Sequence, residues 1–154
     1  MVVNLDSHLD ADFCCEMGEQ LVTVDVGENI RLKSNGQQGN PYRNNQRQMA
    51  LKRLGLVTAR NLLNLGSLHT AGSMVDLLCS VRYPKRVHRV DPPSMWPTCK
   101  PIIDGFTEAG LWVDDDSTHI RRTMFQHDPN PTGVKGLWSI TFHIIPIQTE
   151  GDQE

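Results

Sequence analysis

The residues between Pro97 and Gly110 leave little freedom in how this chain can fold there. Proline has no backbone N–H and its ring collides with the preceding turn. Pro97 and Pro101 are therefore compatible only with the start of a helix, where the first amides have no intrahelical partner anyway. Gly110 supplies the left-handed residue that commonly ends one. The spacing predicts a short helix from about Thr98 to Ala109. On it Cys99, Ile102, Ile103 and Phe106 make a buried face, while Lys100, Asp104 and Glu108 recur every four residues on the other.

The rest of the chain is organised around that helix. Alternation over Gln20–Val26 predicts a first strand. The run Ser34–Pro41, dense in turn residues, is a loop. Helical spacing follows from Tyr42 to about Leu65, with Ala50, Leu51, Leu54, Val57 and Leu62 as the inner face. Gly55 weakens the middle of that helix by up to about 1 kcal/mol relative to Ala. Met74–Tyr83 reads as a second strand with Val75, Leu77, Cys79 and Val81 on one side, ended by Pro84. His119–Phe125 and Leu137–Ile147 are two late strands joined by a turn from Asp128 to Gly136. The order β–α–β–α–β–β predicts a small single-domain α/β (α+β) sandwich: a mixed sheet of about four strands with two main helices. Residues 1–18 form an acidic, flexible arm, 19–148 the domain, and 149–154 a frayed tail.

Composition narrows the function classes. At 154 residues the chain suits one domain with a modest core. No apolar run approaches the roughly 20 residues that span a membrane. The N-terminus lacks the pattern of a signal peptide, which points to a cytoplasmic protein. Cys14, Cys15, Cys79 and Cys99 make no zinc-ligand spacing; Cys79 and Cys99 read as buried small hydrophobes, and Cys14–Cys15 has no assigned role. His88, His119 and His127 lack a metal-binding pattern. Trp96, Trp112 and Trp138 read as core or interface anchors, with Trp96 set apart by its place beside the acidic segment.

The net charge of −3 hides a split. Residues 1–30 carry seven acids and no Lys or Arg, whereas residues 31–147 hold all 15 Lys and Arg against eight acids. That is the footprint expected of a phosphate-backbone binder, the plainer alternative being a soluble domain with scattered charge. Arg31, Lys33, Arg43, Arg47, Lys85, Arg86 and Arg89 are the candidate phosphate contacts. Five of the eight acids make up one candidate site: Asp91, then Asp104 beside Lys100 on the short helix, then Asp114, Asp115 and Asp116. Carboxylates beside a lysine suit a hard divalent cation and a phosphate. Each also has a plainer role: the three aspartates as a solvated turn, Lys100–Asp104 as an exposed helix pair, and Asp91 as a turn former.

The segment D-x(8)-K-x(3)-D-G-x(3)-A-G-L-W-x-D-D-D, within Arg89–His119, resembles the RusA-like family of Holliday junction resolvases of bacteria and phages. The resemblance implies a small homodimeric endonuclease that nicks four-way or branched DNA symmetrically in recombination and repair, using magnesium, or manganese in its place. Carried over by position, Asp91 matches the first metal-binding aspartate, Lys100 the lysine of the following helix, and Asp115 the late catalytic aspartate. Asp114 and Asp116 join Asp91 and Asp115 as metal ligands, with Asp104 and Ser94 in support. Where the founding motif has a second aspartate and an asparagine, this chain has Pro93 and Ser94. That departure leaves open a DNA-structure-binding protein of the same fold with weakened catalysis, or a non-catalytic interaction domain.

Overall fold

A computed structural model describes residues 18–34 and 40–147. Residues 1–17 and 148–154 lie outside the described residues, and with them the acidic arm up to Met17, the tail and Cys14–Cys15. The elements are β1 (Gln20–Gly27), α1 (Pro41–Asn64), β2 (Val75–Arg82), a 3₁₀ turn (Pro92–Met95), α2 (Trp96–Glu108), β3 (Ile120–Asp128) and β4 (Leu137–Pro146). The four strands form one mixed sheet in the order β1-β4-β2-β3, parallel between β2 and β3 and antiparallel elsewhere. This is the expected α+β domain with two main helices.

Strand alternation puts Val22, Val24 and Val26 of β1, Leu77, Cys79 and Val81 of β2, and Ile140, Phe142 and Ile144 of β4 into one core. Met95, Cys99, Ile102 and Phe106 fill it from the helical side. The opposite sheet face carries a polar row instead. There Thr23 meets Thr141 at 3.0 Å, and Gln126 donates to Ser80 at 3.1 Å.

Both helices end in the same way. Gly66 and Gly110 take φ of +73° and +88°, and the next residue's amide bonds back five positions, Ser67 to Leu62 and Leu111 to Phe106. The start of α2 differs from expectation. Because the 3₁₀ turn runs straight into the helix, α2 begins at Trp96, and Pro101 lies inside it rather than in its first turn. β3 also runs three residues beyond Phe125, because it pairs with β2 as far as Arg82–Asp128.

The inner face of α1 is narrower than the periodicity implied. Leu51, Gly55 and Ala59 are buried, Leu54 and Leu62 are half-buried, and Val57 is 44% exposed. Gly55 is no passive weak point. It lies against Gly105 of α2, where the two backbones touch: a Cβ on Gly55 would lie 3.0 Å from Ile102 Cα, and one on Gly105 2.6 Å from Leu56 N. Only side chains no larger than hydrogen permit so close a crossing.

One acid sits unexpectedly among the apolar residues of β2. Asp76 is buried, and a β-bulge at Val75/Asp76 sets Arg122 opposite it and leaves Arg121 as the extra residue of β3. The bulge brings both guanidiniums to one carboxylate: Arg121 donates through Nε and a terminal nitrogen at 3.1 and 2.7 Å, and Arg122 through Nε at 2.8 Å. The hydrogen bonds from Arg121 lead in holding the Asp76 carboxyl below its ordinary value of 3.8, against the opposing effect of burial. A depressed folded value contributes stability that is complete above the unfolded value and lost as pH falls through the folded one. Asp76→Ala should therefore cost about 3 kcal/mol at pH 7, the lower end for a broken buried pair because both arginines reach solvent. Its deficit should shrink as the pH falls below 3.8 and through the folded value, where the parent protonates too; urea melts along an acid pH series measure this. An equal deficit throughout the series would show that the carboxylate charge is not what matters.

Candidate active site

Lys100 is the centre of the acidic segment. It projects from the second turn of α2, and its ammonium bonds Asp104 Oδ1, one turn on, at 2.6 Å and also Asp115 Oδ2. Asp115 reaches it because Gly110 turns the chain sharply at the helix end and Trp112, buried, anchors the return. Trp112 Nε1 donates to Thr107 Oγ1 at 2.7 Å, tying the returning loop to the helix it has just left.

The charges reinforce one another. Partial burial disfavours the Lys100 cation, but hydrogen bonds to Asp104 and Asp115 outweigh it and raise its pKa, so the lysine is a fixed cation at neutral pH. The Lys100 hydrogen bond is the leading cause that holds the Asp115 carboxyl below its ordinary value. Asp115 is therefore ionised at neutral pH. Asp114 turns its Oδ1 to the Asp115 amide at 2.8 Å, stiffening the turn.

The other acids do different work. Asp116 accepts from Thr118 N at 3.1 Å and Thr118 Oγ1 at 2.6 Å, and pairs with His119 Nδ1 at 2.6 Å, so it caps the turn into β3 and is not brought to Lys100. Asp91 makes no ion pair with Lys100 among the described residues. It precedes the 3₁₀ turn, where Ser94 donates its hydroxyl to the Asp91 carbonyl at 2.6 Å, so Ser94 is held locally too. The Asp91 charge is instead felt by Tyr83: burial leads in raising the Tyr83 phenol, and Asp91 adds to it. The structure thus brings together Lys100, Asp104, Asp115 and Asp114 through direct hydrogen bonds, and Asp91 makes none with them.

Beside Lys100 a cleft of about 380 Å³ opens between the helices, lined by Asn45, Gln48 and Lys52 of α1 and by Trp96, Lys100 and Asp104 of α2. Trp96 is 40% exposed there, edge-on to Phe125 with ring centroids 6.1 Å apart. Asn45 and Gln48 carried no signal in the sequence beyond their helical register with Lys52. The expected phosphate contacts divide. Arg43, Lys85, Arg86 and Arg89 are exposed, and Arg47 is half-buried one turn from Arg43. Arg31 is engaged internally: it grips Glu28 through two bonds of 3.0 and 2.8 Å and lies over the Trp138 ring at 4.3 Å. Lys33 pairs with the same Glu28 at 3.9 Å.

Among the described residues no three His, Cys, Asp or Glu side chains converge as a ready-made metal cage. Magnesium does not need one, since it commonly takes one or two carboxylates together with water and substrate phosphate. The donor chemistry of adjacent Asp114 and Asp115, both reaching solvent, fits that requirement. No helix among the described residues is long and apolar enough to cross a membrane. No family model and no curated protein matches this chain.

Proposed function

We propose that this protein is a magnesium-dependent endonuclease that nicks four-way or otherwise branched DNA, acting as a homodimer on a two-fold substrate. The observation that carries the reading is the junction of Lys100 with Asp115: a cation and a carboxylate that each strengthen the other's charged form, drawn from different elements, meet beside an open cleft. A lysine held so is positioned to neutralise a scissile phosphate. Asp115 and Asp114 would hold the metal, which when bound supplies Lewis-acid stabilisation and an activated water. Asp104 holds Lys100 from its other side and keeps the ammonium aimed. Arg43, Arg47, Lys85, Arg86 and Arg89 supply backbone contacts that fix register without reading sequence.

Pro93, standing where a second acid would stand, favours a second reading: a DNA-structure-binding protein with weakened catalysis. Incubation with a synthetic four-way junction and a matched linear duplex, each with magnesium and with chelator, separates the two. Symmetric, metal-dependent nicking of the junction is expected. Tight binding without nicking would establish the second reading, and no preference for the junction would overturn both. Junction affinity should fall steeply between about 50 and 200 mM salt if several phosphates are contacted.

A further inference from the structure

A second cavity, of about 570 Å³, lies where β1 and β2 end and β4 begins. Its position follows from backbone hydrogen bonds. Thr132 and Gly133 amides bond the Tyr83 and Pro84 carbonyls at 2.9 and 3.1 Å, and the Glu28 amide bonds the Gly136 carbonyl at 2.8 Å. These pull the β3–β4 connection across the ends of the other strands. Gly133 and Gly136 both have positive φ, so bare backbone forms part of the wall.

The cavity has three chemical parts. Tyr83, Val87 and Trp138 give it an apolar floor. Trp138 is fixed in place: Arg31 covers one face, and Tyr83 leans on it with ring centroids 4.5 Å apart. Lys85 and Lys135 stand at the rim, both exposed. Between floor and rim, Glu28 presents an ionised carboxylate, kept so chiefly by its hydrogen bond from Arg31. Its Oε2 already accepts from Arg31 Nε at 3.0 Å and Trp138 Nε1 at 2.6 Å. Its Oε1 accepts one close bond, from Arg31 at 2.8 Å, and faces the Lys33 ammonium at 3.9 Å, beyond hydrogen-bond distance, so it retains capacity for another donor. A flat apolar group bearing an N–H, with a phosphate attached, matches all three parts.

From the joint placement of floor, carboxylate and lysines we propose that this cavity receives one unpaired nucleotide of branched DNA, its base against Tyr83 and Val87, its amino group on Glu28 and its phosphate between Lys85 and Lys135. The volume falls within the range of small-ligand clefts, roughly 300–1,000 Å³. The basic run from Lys85 to Arg89 leads from this cavity directly to Asp91. A nucleotide held here would anchor its strand on the approach to the Lys100 site. The proposal rests on the DNA reading for its ligand's source, but the cavity's chemistry can be tested without DNA.

Two arms do this. In the first, the four deoxynucleoside monophosphates are titrated calorimetrically into the wild type, Val87→Phe and Lys135→Ala at roughly millimolar concentrations, the affinity range of a weak single site. Binding by the wild type and its loss in both variants is expected. In the second, junctions with and without one unpaired branch-point nucleotide are compared by fluorescence anisotropy. The wild type should prefer the unpaired form by about 10-fold, roughly one good base contact, and Val87→Phe should abolish the preference while binding the paired junction unchanged. Absence of mononucleotide binding, or an undiminished preference in Val87→Phe, overturns the proposal. Mononucleotide binding by a protein that ignores every junction would instead sink the DNA reading and leave a site for free nucleotides.

Discussion

Asp115→Asn should fold, bind a four-way junction as the parent does, and lose nicking by about 10²-fold or more, the usual scale for removing one positioned catalytic group. The substitution keeps the shape and removes the charge. Lys100 keeps Asp104 as a partner at 2.6 Å, so the lysine is not left unpaired. Melting temperature and junction affinity serve as controls for structure. Unchanged nicking would remove Asp115 from the chemistry, and parallel loss of binding would make its role structural. The pH profile gives a further check. Because the hydrogen bond from Lys100 leads in depressing the Asp115 carboxyl below 3.8, its ionisation cannot produce an acid limb near neutrality. A limb between about pH 5 and 7 in the parent would therefore belong to another group.

Gly105→Ala should cost about 3 kcal/mol or more of stability, a fall in Tm of roughly 6–12 °C for a domain of this size. Two effects oppose each other here. Alanine is the better helix former by about 1 kcal/mol, which favours the variant. The new methyl, however, would press on the main chain of α1 at Lys52 and Leu56, and backbone cannot rotate aside as a side chain can. The steric term wins. Gly55→Ala strikes the same crossing from the other side, so the double variant should cost less than the sum of the two. Full additivity in thermal melts would show that the two glycines do not share one contact. Because Gly105 follows Asp104 directly, a displaced α2 would also carry the Lys100–Asp104 pair with it.

Most of the frame was legible because it rests on local rules. Alternation marked β1 and β2, the proline and glycine signals marked α2, and the inward face of β2 was read correctly at Val75, Leu77, Cys79 and Val81. The misreadings share one cause: tertiary partners overrode local preference. Gly55 was read by its helix propensity, yet the crossing with Gly105 decides its place. Val57 fits the helical stripe, but the narrow contact leaves it outside. At the site, Lys100 and Asp104 were visible as a spacing on one short helix, and the resemblance singled out Asp115 from the three aspartates that follow. The diversion of Asp116 to Thr118 and His119 was not, since a turn's internal hydrogen bonds depend on geometry that residue order does not carry. Arg31 was counted as free charge because its partner Glu28 was read only as part of an acidic terminus. A sharper signal was present in β2: a lone acid in V-D-L-L-C-S-V, matched later by adjacent arginines.

The bulge at Asp76 bears on the candidate site from a distance. β3 is an edge strand, and a slip of one residue against β2 would turn Thr123, Phe125 and His127 from one face of the sheet to the other. Asp76, by clasping Arg121 and Arg122 together, pins the count of residues at which β3 begins. Only the turn from Asp116 to His119 separates that pin from Asp115. The reach of Asp115 toward Lys100 is therefore measured from the sheet as well as from the helix, and one residue inserted between Asp116 and Ile120 would lengthen the tether without disturbing either end.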